Sequence, residues 1–483
     1  MSRTKTALRA ACAAVAVAAV TAAGGVALSQ PAVASGTPQN YIVLAPQGQG
    51  IGSAIARVQA TGGTVLASYD AIGVLVVQAD RTDFATAVVG NGVQSAAATT
   101  GLGSRIESDV ETTIAEPDPA TTSEALWPQQ WDMRAIQVAE AHSVTTGSSD
   151  VVVGVLDTGI DALHPDLATQ VDHSLSASCI GGTPDTSFAA WNPTSNDHGT
   201  HVAGTIAAAR NGVGIVGVAP GVRLASVKVV NDDGFIYPEA AVCGFMWAAA
   251  HGFDVTNNSY FIDPWEFNCR NDARQRPVWI AVQRALRYSA SQGVLNVASA
   301  GNSGLDLQHR FIDDGSPNDG SYPVEERMIN GACLDLPAEA PGVVTVSATG
   351  STGLISYYSN YGLGVVEVAA PGGDSRVVAP GVVNGRVLSA IWPGGGWGYK
   401  QGTSMAGPHA AGVAALILSV HPGMQPGAVT TLLQQTADPH ACPAGGTYTP
   451  PGTGFTTKTC YGGFENNGFY GFGEVNAYRA VTG

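Results

Sequence analysis

Charge is scarce in this chain. Asp, Glu, Lys and Arg make up 12% of its 483 residues, with 22 basic against 38 acidic residues and a formal net charge of −16. A nucleic-acid surface is built from clustered Lys and Arg; no basic patch is evident, so nucleic acid is not an expected partner. With 45% hydrophobic residues, so little charge also argues against a disordered chain. No internal repeat is found, and past the N-terminus no stretch is read as membrane-spanning. Length alone leads one to expect two or three units.

The N-terminus reads as an export signal. Arg3, Lys5 and Arg9 precede an uncharged Ala/Val-rich stretch from 10 to 28, and Ala32-Val33-Ala34 supplies small residues for cleavage before Ser35. The alternative is an uncleaved anchor; the alanine-rich, weakly hydrophobic run followed by a cleavage site argues for removal of 1–34, leaving no stable membrane anchor. Cysteine use agrees with a secreted, extracellular protein. Cys12 leaves with the signal, and Cys179, Cys243, Cys269, Cys333, Cys442 and Cys460 remain, enough for three disulfides in any of fifteen connectivities. Cys442 and Cys460 bracket a Gly/Pro/Thr loop and are the pair expected to bond.

Two textures follow. Residues 38–105 carry strand, helix, strand, strand, helix, strand signals at 41–45, 51–60, 64–69, 73–78, 82–89 and 93–98, the βαββαβ order of ferredoxin-like α+β folds. Residues 106–126 are poor in large apolar side chains, contain Glu-Pro-Asp-Pro and read as an exposed linker open to proteolysis. From 127 to 483, apolar runs at 151–156, 224–230, 294–298, 343–346 and 365–369 alternate with helical patterns such as 239–251 and 278–291. Runs without polar alternation suit strands buried on both faces, so the expected fold is α/β: a parallel sheet with helices on both sides.

Four segments carry chemistry. Asp157 ends the first run, in Val-Gly-Val-Leu-Asp-Thr-Gly, where a parallel strand turns toward solvent. An aspartic protease also uses Asp-Thr-Gly but needs two such carboxylates, and no second Asp-Thr-Gly or Asp-Ser-Gly occurs. His198, in Asn-Asp-His-Gly-Thr-His-Val-Ala-Gly-Thr, is a natural general base. His201 three residues on suggests a metal pair, yet there is no His-Glu-x-x-His arrangement or third ligand cluster, and His201 is expected to face the fold. Ser404 lies in Gly-Thr-Ser-Met-Ala-Gly-Pro-His ahead of an apolar helix, with Pro408 placed in its first turn. There its N–H faces outward at the positive helix end. Asn302, in Ala-Ser-Ala-Gly-Asn-Ser-Gly after a buried strand, offers an amide that could bind a developing oxyanion.

Together these segments resemble the subtilisin family, in the family's order Asp…His…Ser, from about residue 127 to the closing Gly-Phe-Gly-Glu-Val-Asn-Ala at 471–477. The resemblance implies a serine endopeptidase acting on protein or peptide substrates, usually monomeric. Asp157, His198 and Ser404 would form its triad, and Asn302 with the Ser404 N–H its oxyanion hole. It further implies that 38–105 is a propeptide that assists folding and then acts as an intramolecular inhibitor, with the maturation site in 106–126. Substrate would lie along Ser259, Tyr260 and Phe261 on one side and Ser299, Ala300 and Gly301 on the other. The family has Ser-Leu-Gly where this chain has Ser-Tyr-Phe, so Phe261 is expected to reshape the specificity pocket. No cofactor is implied for catalysis. A structural calcium is implied at Asp166 and a loop of Ala209, Asn211, Val213 and Ile215, with Gln129 or Gln130 completing the shell. Two rivals stand beside a broad protease: a binding protein on a dead scaffold, against which all triad positions are intact, and a narrow processing peptidase. The acidic 302–342 segment has no assigned role.

Overall fold

The structure is a computed structural model that describes residues 35–99, 113–115, 124–310, 312–320, 323–452, 454 and 456–483. The export-signal reading of 1–34 and most of the 106–126 linker lie outside these residues. Of that linker, 113–115 and 124–126 are described: Thr113–Ala115 is a strand pairing antiparallel with Gly396–Lys400, and the Leu126 N–H donates to the Gly214 carbonyl at 2.7 Å.

The N-terminal unit follows the expected order: β1 (Ser35–Leu44), α1 (Gly52–Ala60), β2 (Thr64–Tyr69), β3 (Val74–Arg81), α2 (Phe84–Ala87) and β4 (Ser95–Ala98). Its sheet runs β2-β3-β1-β4 with antiparallel pairing. The alternation in β1 and β3 divides their apolar residues between two faces. Tyr41, Val43, Leu75 and Val77 pack with Val58 and Phe84 in the unit's own core. Ile42, Leu44, Val74 and Val76 face away, into a cluster shared with Val242, Phe245 and Val282 of the larger unit.

That larger unit is built on seven parallel strands: β5 (Val152–Asp157), β6 (Ala177–Ser178), β7 (Arg223–Lys228), β8 (Val255–Asn258), β9 (Leu295–Ser299), β10 (Val344–Thr349) and β11 (Val368–Pro371). Their order is β11-β10-β9-β8-β5-β7-β6. Five of these answer to the apolar runs. β8, Val-Thr-Asn-Asn, does not, because its buried polar residues are held by one another: Asn258 Nδ2 donates to Thr256 Oγ1 (2.9 Å) and to the Val297 carbonyl (3.0 Å). Around the sheet lie α3 (His198–Ala207), α4 (Pro238–Ala250), α5 (Arg276–Ser291) and α6 (Thr403–Val420). By length and composition α6 could cross a membrane, contrary to the sequence reading, but 83% of it is buried in the protein core. The fold is thus a parallel α/β sheet with helices around it. Three disulfides staple it: Cys179–Cys243, Cys269–Cys333 and the expected Cys442–Cys460.

Candidate active site

The first strand and two helix starts converge at one end of the sheet. Asp157 is the last residue of β5, the next-to-central position where two crossovers diverge, and its side chain is buried. Its Oδ1 accepts the Thr158 N–H at 2.7 Å, which fixes the carboxylate plane. His198 opens α3 and lies with Nδ1 2.8 Å from Asp157 Oδ1 and 3.0 Å from Oδ2. A carboxylate only accepts, so Nδ1 carries the proton and Nε2 is left as the acceptor. The His198 side chain is 26% exposed, a ring open on its far edge and held on its near one.

Ser404 is the second residue of α6. Its backbone N–H makes no hydrogen bond among the described residues, as expected at a helix start. Its hydroxyl donates to the Ser259 carbonyl at 3.3 Å, and no bond to His198 is formed among the described residues. Pro408 is the sixth helical residue, not part of the first turn as expected from sequence. Lacking an N–H, it leaves the Ser404 carbonyl free, and Ser259 Oγ donates to that carbonyl at 3.1 Å. Two strands of chain are thereby stitched together beside the hydroxyl.

Asn302 follows β9 on the other side. Its Oδ1 accepts both the Thr403 N–H (2.8 Å) and the Thr403 hydroxyl (2.9 Å). With the carbonyl end of the amide taken twice, Nδ2 must point the other way, and it makes no hydrogen bond among the described residues. Asn302 Nδ2 and the Ser404 N–H are therefore two uncommitted donors flanking the hydroxyl. Thr403, which sets the amide's orientation, was not singled out in the sequence; a Thr before a Ser at a helix start reads only as a capping residue.

The remaining expected residues divide. His201 is fully buried, with Nε2 3.1 Å from the Gly398 carbonyl, and burial pushes its pKa well down, so it is a neutral core residue. Ser259 does touch Ser404. Tyr260 does not line the cleft with its ring: it is packed in the core, its hydroxyl donating to Asn258 Oδ1 at 3.0 Å. In the segment just past β8, Tyr260 turns inward whereas its neighbour Phe261 is only partly buried. Ser299 is buried, the Ala300 N–H is spent on Val346, and the Gly301 N–H donates to Thr403 Oγ1 at 3.2 Å.

Asp166 and the 209–215 loop are brought together. Asp166 Oδ2 accepts from the Ile215 N–H (3.1 Å) and the Trp397 indole (2.8 Å), whereas its Oδ1 is buried without a partner, and burial pushes the carboxyl up to about 6. The Ala209, Val213 and Ile215 carbonyls accept no hydrogen bond among the described residues. An orphaned carboxylate oxygen beside carbonyls is a donor set that suits a hard cation. The two glutamines do not complete it. Gln130 exchanges two hydrogen bonds with Val216, and Gln129 is bonded by the Tyr399 hydroxyl.

The family model described as "Subtilase family" matches residues 148–473. Among curated relatives, fervidolysin of Fervidobacterium pennivorans is 32% identical over 65% of this chain, which spans 41% of fervidolysin's length. Subtilisin DY of Bacillus licheniformis is 33% identical over 60% of this chain and 84% of its own. Among solved structures, an epidermin leader peptide processing serine protease from Staphylococcus aureus aligns with a TM-score of 0.68, covering 92% of this chain and 98% of that one. At 22% identity that likeness is one of fold.

Proposed function

The chain belongs to the subtilase family, and we propose that it is a secreted serine endopeptidase, made as a precursor that processes itself, which cuts protein or peptide substrates through an acyl-enzyme on Ser404. The observation that carries the reading is the alignment around one hydroxyl. An oriented imidazole with a free Nε2 is held by Asp157, and two uncommitted donors, Asn302 Nδ2 and Ser404 N–H, stand by.

In this mechanism the Ser404 hydroxyl leaves the Ser259 carbonyl and turns to His198 Nε2 as substrate binds, since catalytic hydrogen bonds tighten in the substrate complex. Its oxygen attacks the scissile carbonyl as Nε2 takes the proton; the same proton then passes to the leaving amine. Asp157 keeps the imidazole in the competent tautomer and offsets its transient positive charge. The carbonyl oxygen, now an anion, takes hydrogen bonds from Asn302 and Ser404 that cost no reorganisation because both donors are already placed. Water repeats the sequence to release the acyl group.

The N-terminal unit acts in this reading as an inhibitory propeptide. Its support is the contact surface with α4 and α5. Asn40 Nδ2 donates to Glu239 Oε1 (3.0 Å), the Tyr69 hydroxyl to the Gly182 carbonyl (2.7 Å), and Arg284 to the Ala45, Ile72 and Gly73 carbonyls (2.9, 3.1 and 3.2 Å). Calcium belongs to the reading as a structural ion, held by Asp166, Asn211 and the Ala209, Val213 and Ile215 carbonyls, where it would neutralise a buried carboxylate and tie the loop. A monomer is the expected state.

The direct test is hydrolysis of unfolded casein, together with labelling of Ser404 by a fluorophosphonate. Both are expected in the natural protein and neither in Ser404→Ala. A natural protein that is folded, inert and unlabelled would make the dead-scaffold reading the better one.

A further inference from the structure

Asp335 is the least accommodated charge-bearing group near the site. It is 2% exposed, and its carboxylate accepts no hydrogen bond from any described residue, with Oδ1 wholly buried and unpartnered. Native proteins rarely leave a buried carboxylate so. Its neighbours make matters worse. The Asp335 N–H donates to Glu339 Oε2 at 2.8 Å, and Glu266, bonded by the Ser303 hydroxyl at 2.8 Å, is a second nearby acid. Burial first, and then Glu339 and Glu266, push the Asp335 carboxyl well above the usual range. Arg310, the close cation among the described residues, is already committed: both its terminal nitrogens bond Glu339, and one also donates to the Cys333 carbonyl at 2.8 Å.

The place of this carboxylate explains what it is for. The Ile262 N–H donates to the Leu336 carbonyl at 2.9 Å, so Asp335 stands at the far end of the 259–261 wall, whose near end touches Ser404. On the opposite wall, a Cβ built on Gly301 would come within 3.3 Å of Asp335 Oδ2. Gly301 is tied to Thr403 and precedes Asn302, so both walls that flank the hydroxyl lead back to the same carboxylate. Gly301 has φ +95°, a conformation that excludes most side chains, and a side chain there would meet Asp335 and Asn360 Nδ2. Asn360 Nδ2 is itself buried without a partner, and it does not bond Asp335. An unpaired acid lying between the two substrate walls lacks one thing, a cation.

Resting on the serine-peptidase reading, we propose that Asp335 is the specificity-determining residue and receives the guanidinium or ammonium group of an Arg or Lys on the acyl side of the scissile bond. Glu266 adds negative potential from beside Asn302. The substrate's charge then completes a charge-assisted pair that the free enzyme lacks, and peptides with an apolar residue at that position leave Asp335 uncompensated.

The experiment compares kcat/KM for peptides that differ only in having Arg, Lys, Leu or Phe before the scissile bond. Natural and Asp335→Asn enzymes are both used at concentrations fixed by fluorophosphonate titration. The natural enzyme is expected to favour Arg and Lys, and Asp335→Asn to lower the Arg-to-Leu ratio by roughly 30-fold or more. A natural enzyme that prefers Leu or Phe, or an unchanged ratio in the variant, overturns the assignment while leaving the peptidase standing. A natural protein that takes no label overturns the peptidase and the assignment together. Should Asp335→Asn not fold, benzamidine and its uncharged analogue benzamide are compared as inhibitors of the natural enzyme on an Arg peptide. Stronger inhibition by the amidinium is expected, and equal inhibition overturns the assignment.

Discussion

Thr403 shows how much of the site is decided one bond away from the chemistry. Its N–H and hydroxyl both hold Asn302 Oδ1, so the direction of the oxyanion-binding amide is set by a residue that touches no substrate. Replacing Asn302 with Ala is expected to lower kcat by roughly 10²–10³ with little change in KM, a magnitude carried over from a subtilisin. Thr403→Val keeps the shape and the N–H but removes one of the two anchors, and a smaller loss in kcat is expected. Steady-state kinetics on one peptide check both, and equal losses for the two variants would contradict the anchoring role. At this scale the sequence is most readable where a residue sits in a dense motif. Asp157, His198, Asn302 and Ser404 all stand where such motifs put them. The Tyr260 ring lies in the core rather than the cleft, a direction that the sequence of a non-repetitive segment does not signal. Asp335 was missed because a single acid in a segment with no motif gives no signal until its lack of partners is seen.

Elements were legible when their burial left an apolar signature. The runs beginning near Val151 and Leu224 became β5 and β7 because strands covered on both faces have no polar side to alternate with. β8 escaped notice for the converse reason: a central strand of buried polar residues, in which Asn258 bonds Thr256 and Asn257 bonds Ser259, reads as a loop. The start of α6 was read slightly late, since Pro408 suggested a first turn, whereas here it sits where its missing N–H frees a carbonyl for Ser259. The Cys442–Cys460 bridge closes a loop of 18 residues that contains little regular structure. Chain-entropy reasoning gives about 3 kcal/mol for a loop of that size. Cys442→Ser with Cys460→Ser is expected to lower the denaturation midpoint accordingly in urea while leaving kcat at low denaturant unchanged, because the bridge lies outside the catalytic machinery. An unchanged midpoint would mean that the loop is already ordered by its packing against Phe469 and Tyr470.

For the whole molecule, two features couple stability to function. One is the Asp166 loop. Calcium is expected to raise Tm by several degrees over the EDTA-treated protein, by binding the folded state alone, and Asp166→Asn is expected to abolish that rise. Equal Tm in both conditions for the natural protein would contradict the calcium assignment; differential scanning calorimetry reads it. The other is the seating of the N-terminal unit on α4 and α5, where Ile42, Leu44 and Val76 share one core with Val242 and Phe245. That unit's βαββαβ order was readable from alternation and turn residues, but its docking was not, since which sheet face meets which helices depends on contacts far apart in the chain. The central claim, a working nucleophile in a chain that matures itself, is tested most directly by the intact mass of residues 35–483 after refolding, for the natural sequence and for Ser404→Ala. The account predicts that only the natural protein loses its first 70 to 90 residues, roughly the N-terminal unit and its linker. Retention of the full mass by the natural protein, or the same loss in Ser404→Ala, would contradict it.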